Sequence, residues 1–78
     1  MVRYFFDLRD GDRSVADDEG TELDGIEEVR RQVMQTLPAI AAQHIRNHGD
    51  RADFEMTVRD ASGQEVMRAT LSFALTRD

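Results

Sequence analysis

The sequence predicts an α+β domain of element order ββαββ, a four-stranded sheet with one helix packed on one face. Apolar residues alternate at both ends of the chain, as strands with one buried face require. A stripe with helical spacing fills the middle, and turn residues separate the three regions.

In the first segment Val2, Tyr4, Phe6 and Leu8 alternate with Arg3, Phe5, Asp7 and Arg9. Asp10-Gly11 then supplies a two-residue hairpin signal, since both central positions of a type I′ turn need positive φ. That loop would set Arg9 opposite Asp12 and Phe6 opposite Val15. Asp24 reads as a helix N-cap with Glu27 three residues on, and Glu28 adds acid where the helix dipole favours it. The helix runs to about Asn47 or His48, with Gly49 as its stop. Ile26, Val29, Val33, Leu37, Ile40 and His44 form its apolar stripe, flanked by Met34, Ala41 and Ile45. Pro38 lies inside this span and predicts a kink or break between Leu37 and Ala39; the unbroken apolar phase favours the kink.

The second hairpin pairs Phe54, Met56 and Val58 with Leu71, Ala69 and Met67 across a loop from Ala61 to Gln64. Its first strand is rich in charge (Arg51, Asp53, Glu55, Arg59, Asp60), the character of an edge, and its second is long with Arg68 as its one central charge. This predicts a β-grasp-like order 2-1-4-3 with a parallel central pair; the alternative is an all-antiparallel order 2-1-3-4.

A chain of 78 residues makes one domain, 1–78, with a thin core, because about 60 residues bury only about 60% of the unfolded surface. It has no cysteine, so disulfides and thiolate metal sites are excluded. The opening MVRYFFDLRD has neither a signal-type apolar run nor a membrane span, which predicts a mature, soluble, cytoplasmic protein with no membrane partner. Net charge is −6, concentrated between Asp7 and Glu28, where ten acids face only Arg9 and Arg13. A phosphate backbone would be repelled, so nucleic acid is not an expected partner.

The acidic stretch DGDRSVADDEGTEL resembles a calcium loop only in part. Counted from Asp10, Val15 stands where an EF-hand needs glycine and Thr21 where it needs a bidentate glutamate. Asp17, Asp18, Glu19 and Glu22 are therefore read first as a solvated charge run, and only secondarily as metal ligands. Gly20 is expected to take an αL bend, and Leu23 to tuck under the helix start. His44 and His48 share a helix face at i, i+4, a metal-binding spacing, but Ile45 replaces the glutamate of a zinc-protease motif and no third ligand is evident. His44 is expected at the rim of the core. No nucleophile elbow or phosphate loop is present, and one helix on a sheet leaves little room for a large pocket, so neither catalysis nor a cofactor is expected.

Strand alternation turns Phe5 away from the helix, among Arg3, Arg59 and Arg68. Long arginine side chains can cover such a ring; the functional reading is an anchor for a protein contact, including a homodimer of two such faces.

The motifs VRYFFDLRDGD, ADDEGTEL and FEMTVRDASGQEVMRATLSF together resemble a family of short alphaproteobacterial proteins, common in rhizobial genomes and known only as a domain of unknown function. The resemblance covers nearly the whole chain and implies no catalytic or binding residues. A weaker, fold-level similarity is to HicB-type antitoxins, which implies a basic protein partner. The sequence therefore reads as a small acidic domain working through protein contacts. The alternative is a metal- or ligand-binding module built on the histidine pair or the acidic loop.

Overall fold

The computed structural model describes residues 1–77, His48 by its backbone alone. The elements are β1 (Val2–Asp10), β2 (Arg13–Val15), β3 (Thr21–Leu23), α1 (Ile26–His48), β4 (Arg51–Arg59) and β5 (Glu65–Ala74). They form the expected α+β architecture, with α1 lying on one face of an antiparallel sheet of order β2-β1-β4-β5; β3 adds to the same side of β1 as β2 does.

The antiparallel alternative is thus the order realised, and the β-grasp-like order 2-1-4-3 is corrected. β4 is central despite its charges because these all occupy one side of a strictly alternating strand. Ala52, Phe54, Met56 and Val58 are at most 5% exposed and face α1. Arg51, Asp53, Glu55 and Arg59 face the other way, where both neighbouring strands supply partners. Charge on the open face of a one-sided sheet says nothing about position within it.

The β4–β5 hairpin has the expected register, Phe54 opposite Leu71, Met56 opposite Ala69 and Val58 opposite Met67, with a bulge where Arg59 meets Glu65. Asp60 organises the turn, its carboxylate accepting bonds from Ser62 N–H, Ser62 Oγ–H and Gln64 N–H.

The β1–β2 hairpin differs from expectation by two residues: Leu8 opposes Val15 and Asp10 opposes Arg13, leaving Gly11 and Asp12 as the loop. Only Gly11 of that pair has positive φ (62°), so the demands of a type I′ turn are not met. A slip of two keeps every side chain on its face, so Val15 still points to the helix side. It lies at the rim, 68% exposed.

The core is a row down α1, Val29, Val33, Leu37 and Ala41, against the buried residues of β4 together with Tyr4 and Leu23. Ala41 belongs to this i, i+4 row, whereas Ile26 and Met34 are exposed. α1 continues through Pro38 without a break. The carbonyl that Pro38 leaves without its usual donor is that of Met34, on the solvent side of the helix, where water can bond it.

Asp24 is not the N-cap. Gly25 occupies that position in extended backbone (φ 172°) with no side-chain cap bond, while Glu27 and Glu28 sit in the first turn as expected. At the other end Gly49 N–H donates to Ile45 O. A Cβ at Gly25 would meet nothing within 4 Å. Gly25→Ser is therefore expected to raise stability by about 0.5–1 kcal/mol, through a new cap bond and a less flexible unfolded chain. Urea denaturation of the two proteins measures the gain.

Candidate functional site

The segment between β2 and β3 folds back over the face of the sheet that α1 leaves open. β1 has β3 beside residues 2–4 and β2 beside residues 8–10. Between them the Phe6 N–H faces the gap, and the Asp17 carboxylate accepts it at 3.0 Å through Oδ2. Asp17 Oδ1 takes the N–H groups of Glu19 (3.1 Å) and Gly20 (3.0 Å). One side chain thus completes the ladder of β1 and folds the loop that leads into β3.

Asp7 and Arg59 hold the same loop from the sheet. Arg59 donates to both oxygens of Asp7, at 2.6 and 3.1 Å, and to the backbone oxygen of Asp17 at 3.0 Å. Asp17 N–H donates back to Asp7 Oδ1. The Asp7 carboxyl ionises below the ordinary range because of the Arg59 bonds, and that of Asp17 because of the Gly20 and Phe6 N–H groups. The Arg59 guanidinium also lies 5.0 Å from the centre of the Phe5 ring.

Two expectations are corrected by this cluster. Asp17 is not part of a solvated charge run, and its oxygens are committed to backbone donors instead of standing open to a cation. Phe5 is half-buried and not an open anchor: Arg59 covers it, and Gly20 sits so close that a Cβ there would fall 2.9 Å from its Cε2. Arg3, Arg59 and Arg68 are likewise engaged. Arg3 donates to Glu19 O and lies 3.8 Å from Glu22, and Arg68 pairs with Glu65 at 2.8 Å. Asp18, Glu19 and Glu22 are exposed, as a solvated run would be. Among the described residues no group of three or more His, Cys, Asp or Glu is arranged to hold a metal ion. The signal that could have revealed the role of Asp17 is Asp-x-x-Gly, an Asx-type turn ending on a residue with positive φ; Gly20 has φ 77°.

His44 is at the rim of the core, its ring edge-on to Phe54 at 5.3 Å and Nδ1 3.8 Å from Asp10 Oδ2. The side chain of His48 lies outside the described residues. Beside His44 opens a cleft of about 540 Å³, lined by Asp10, Arg51, Asp53, Ser72 and Phe73. This is larger than one helix on a sheet was expected to leave. It lies beside His44 and the last residues of β5, where Phe73 is 39% exposed and, just past the strand, Leu75 64%.

The two sides of the sheet are closed differently. On the β1 side stand β2, β3 and Asp17, whereas among the described residues β5 pairs only with β4. Of its ten residues, EVMRATLSFA, only Glu65 and Arg68 are charged. The edge is therefore long and almost neutral, a feature that the charge-based strand order had hidden.

Residues 3–72 match the model of a domain of unknown function, DUF6894. The chain belongs to this family. No curated protein and no solved structure matches it. The DUF6894 match takes in Asp7, Asp17, Gly20 and Arg59 and runs into β5 as far as Ser72.

Two outcomes follow from the loop geometry. Any L-residue at position 20 would meet Arg3 Cγ at 2.8 Å and the Tyr4 carbonyl at 3.0 Å while holding positive φ. Gly20→Ala should cost at least about 1–2 kcal/mol of stability in chemical denaturation, from the backbone conformation alone.

Asp17→Asn turns one acceptor into a donor facing N–H groups and should cost about 1–2 kcal/mol, after allowance for partial exposure. Because the folded-state pKa values of Asp7 and Asp17 are depressed, their contribution is present above the unfolded carboxyl range and lost as pH falls through the folded values. The melting temperature of the wild type should fall below about pH 4. That acid-dependent fall should be smaller in Asp17→Asn.

Proposed function

We propose that this domain works through protein contacts made along β5, by addition of a partner strand. The observation that carries the reading is the unguarded edge: no proline, no lysine and no covering element protects β5 among the described residues. Unpaired backbone groups on such an edge are a template for another strand. Exposed Phe73 and Leu75 extend the surface in apolar form at one end. The shape supports it as well. The radius of gyration is 13.7 Å and the shortest dimension 17 Å, against about 11–12 Å expected for the radius of a compact chain of this length.

The net charge of −6 lies outside β5, whose two charges cancel, so this edge admits a second copy as well as a basic, antitoxin-like partner. A second reading, a bound small ligand, is favoured by the cleft beside His44 and Asp10. The two are separated by one comparison. Tagged wild type and Phe73→Asp are expressed in the native host, and the species they retain are compared. Under the contact reading a retained protein is lost or strongly reduced with Phe73→Asp. If both retain the same proteins in the same amounts, the surface is not at β5 and the contact reading fails there.

A further inference from the structure

We infer that the strand added to β5 is β5 of a second copy of this chain, antiparallel about a two-fold axis through Thr70. This rests on the proposed contact along β5 and names its partner.

Register parity limits the choices. Directly opposed residues in an antiparallel pair lie on the same face, so β5 can meet itself only in registers that bring odd residues opposite odd and even opposite even. The regular part of β5 begins after the bulge at Glu65, at Met67. A register centred on Thr70 uses Met67 to Phe73 in full. It sets Met67 against the partner's Phe73 and Ala69 against the partner's Leu71 on the helix face. On the open face Thr70 meets the partner's Thr70, and Arg68 meets the partner's Ser72. Shifting the centre to Ala69 would bring Glu65 against Phe73, and to Arg68 would oppose two guanidiniums. Centring on Leu71 would place only Ala69 opposite Phe73. Centring on Ser72 would set Leu71 against Phe73 but pair only Thr70 to Ala74 within the strand, so the Thr70 register is the longest that covers the exposed Phe73 with a large apolar side chain and opposes no like charges.

Chemistry on the open face provides a variant that spares the fold. Thr70 lies opposite Glu55 of β4 in its own chain. In Thr70→Lys the new ammonium stands beside that carboxylate, a favourable cross-strand pair, but at the two-fold it faces its own copy. Sedimentation velocity is expected to give a dimer for the wild type and a monomer for Thr70→Lys, with the melting temperature of the dilute variant equal to or above that of the dilute wild type.

The register is read by disulfide trapping, which is clean because the chain has no cysteine of its own. Directly opposed residues have Cα atoms about 4.5–5.5 Å apart, within disulfide reach. Thr70→Cys should cross-link almost completely under mild oxidation, and Ser72→Cys, which meets the partner's Arg68, should cross-link little. A wild type that is monomeric at every concentration overturns the inference. So does a Thr70→Lys variant that remains dimeric, or a Ser72→Cys variant that cross-links as readily as Thr70→Cys. A monomeric wild type that still retains a host protein through Phe73 would refute self-pairing and leave the contact reading standing.

Discussion

A carboxylate stands where the sheet has a gap. β1 needs a partner along its whole outer edge, and the chain supplies two three-residue strands, β2 and β3, with a loop between them. Neither strand is long enough to be stable alone. The Phe6 N–H that falls between them would be left without a protein partner if Asp17 did not accept it. The same side chain fixes the loop by which β2 is followed by β3, so the two short strands behave as one interrupted edge. Leu23, the last residue of β3, is then delivered into the core immediately before α1 begins.

Arg59 ties this edge to the far side of β4. It bridges Asp7 and the Asp17 carbonyl while covering Phe5, so charge, hydrogen bonding and aromatic burial are satisfied at one point on a face that no helix protects. Such a cluster substitutes for a second packed layer. It also accounts for much of the acid in the early part of the chain. Asp7 and Asp17 hold the loop, Asp10 stands near His44, Glu22 near Arg3, and Glu27 and Glu28 at the positive end of α1. Asp12, Asp18, Glu19 and Asp24 are exposed to solvent.

How much of this was legible in the sequence depends on the range of the interaction involved. The β4–β5 hairpin was readable because its loop is local and its inward residues coincide only in one register. The α1 stripe was readable for the same reason, although its row follows i, i+4 spacing and so takes Ala41 in place of Ile26. The Asp17–Phe6 and Arg59–Asp7 bonds link residues 11 and 52 positions apart, which no local pattern reports. Charge as a marker of edges failed on β4 because its outward residues find partners on both neighbours. The stricter alternation of β4, buried at every second position, was the better guide to a central strand. β5, with its less regular burial, is the edge.

The two edges of the sheet are finished differently. On the β1 side the chain spends eleven residues, from Arg13 to Leu23, and an ion-paired cluster on closing the sheet. On the β5 side it places nearly neutral residues and leaves Phe73 and Leu75 exposed. A domain with so thin a core gains stability from any surface that removes apolar area from water, and an open strand edge aligns the backbone for that gain without reorganising the rest of the fold. Under the proposed self-pairing, two copies joined through β5 would present at their outer edges only the three-residue strands β2 and β3, too short and interrupted to template a further strand, so pairing would end at two instead of propagating into a fibre.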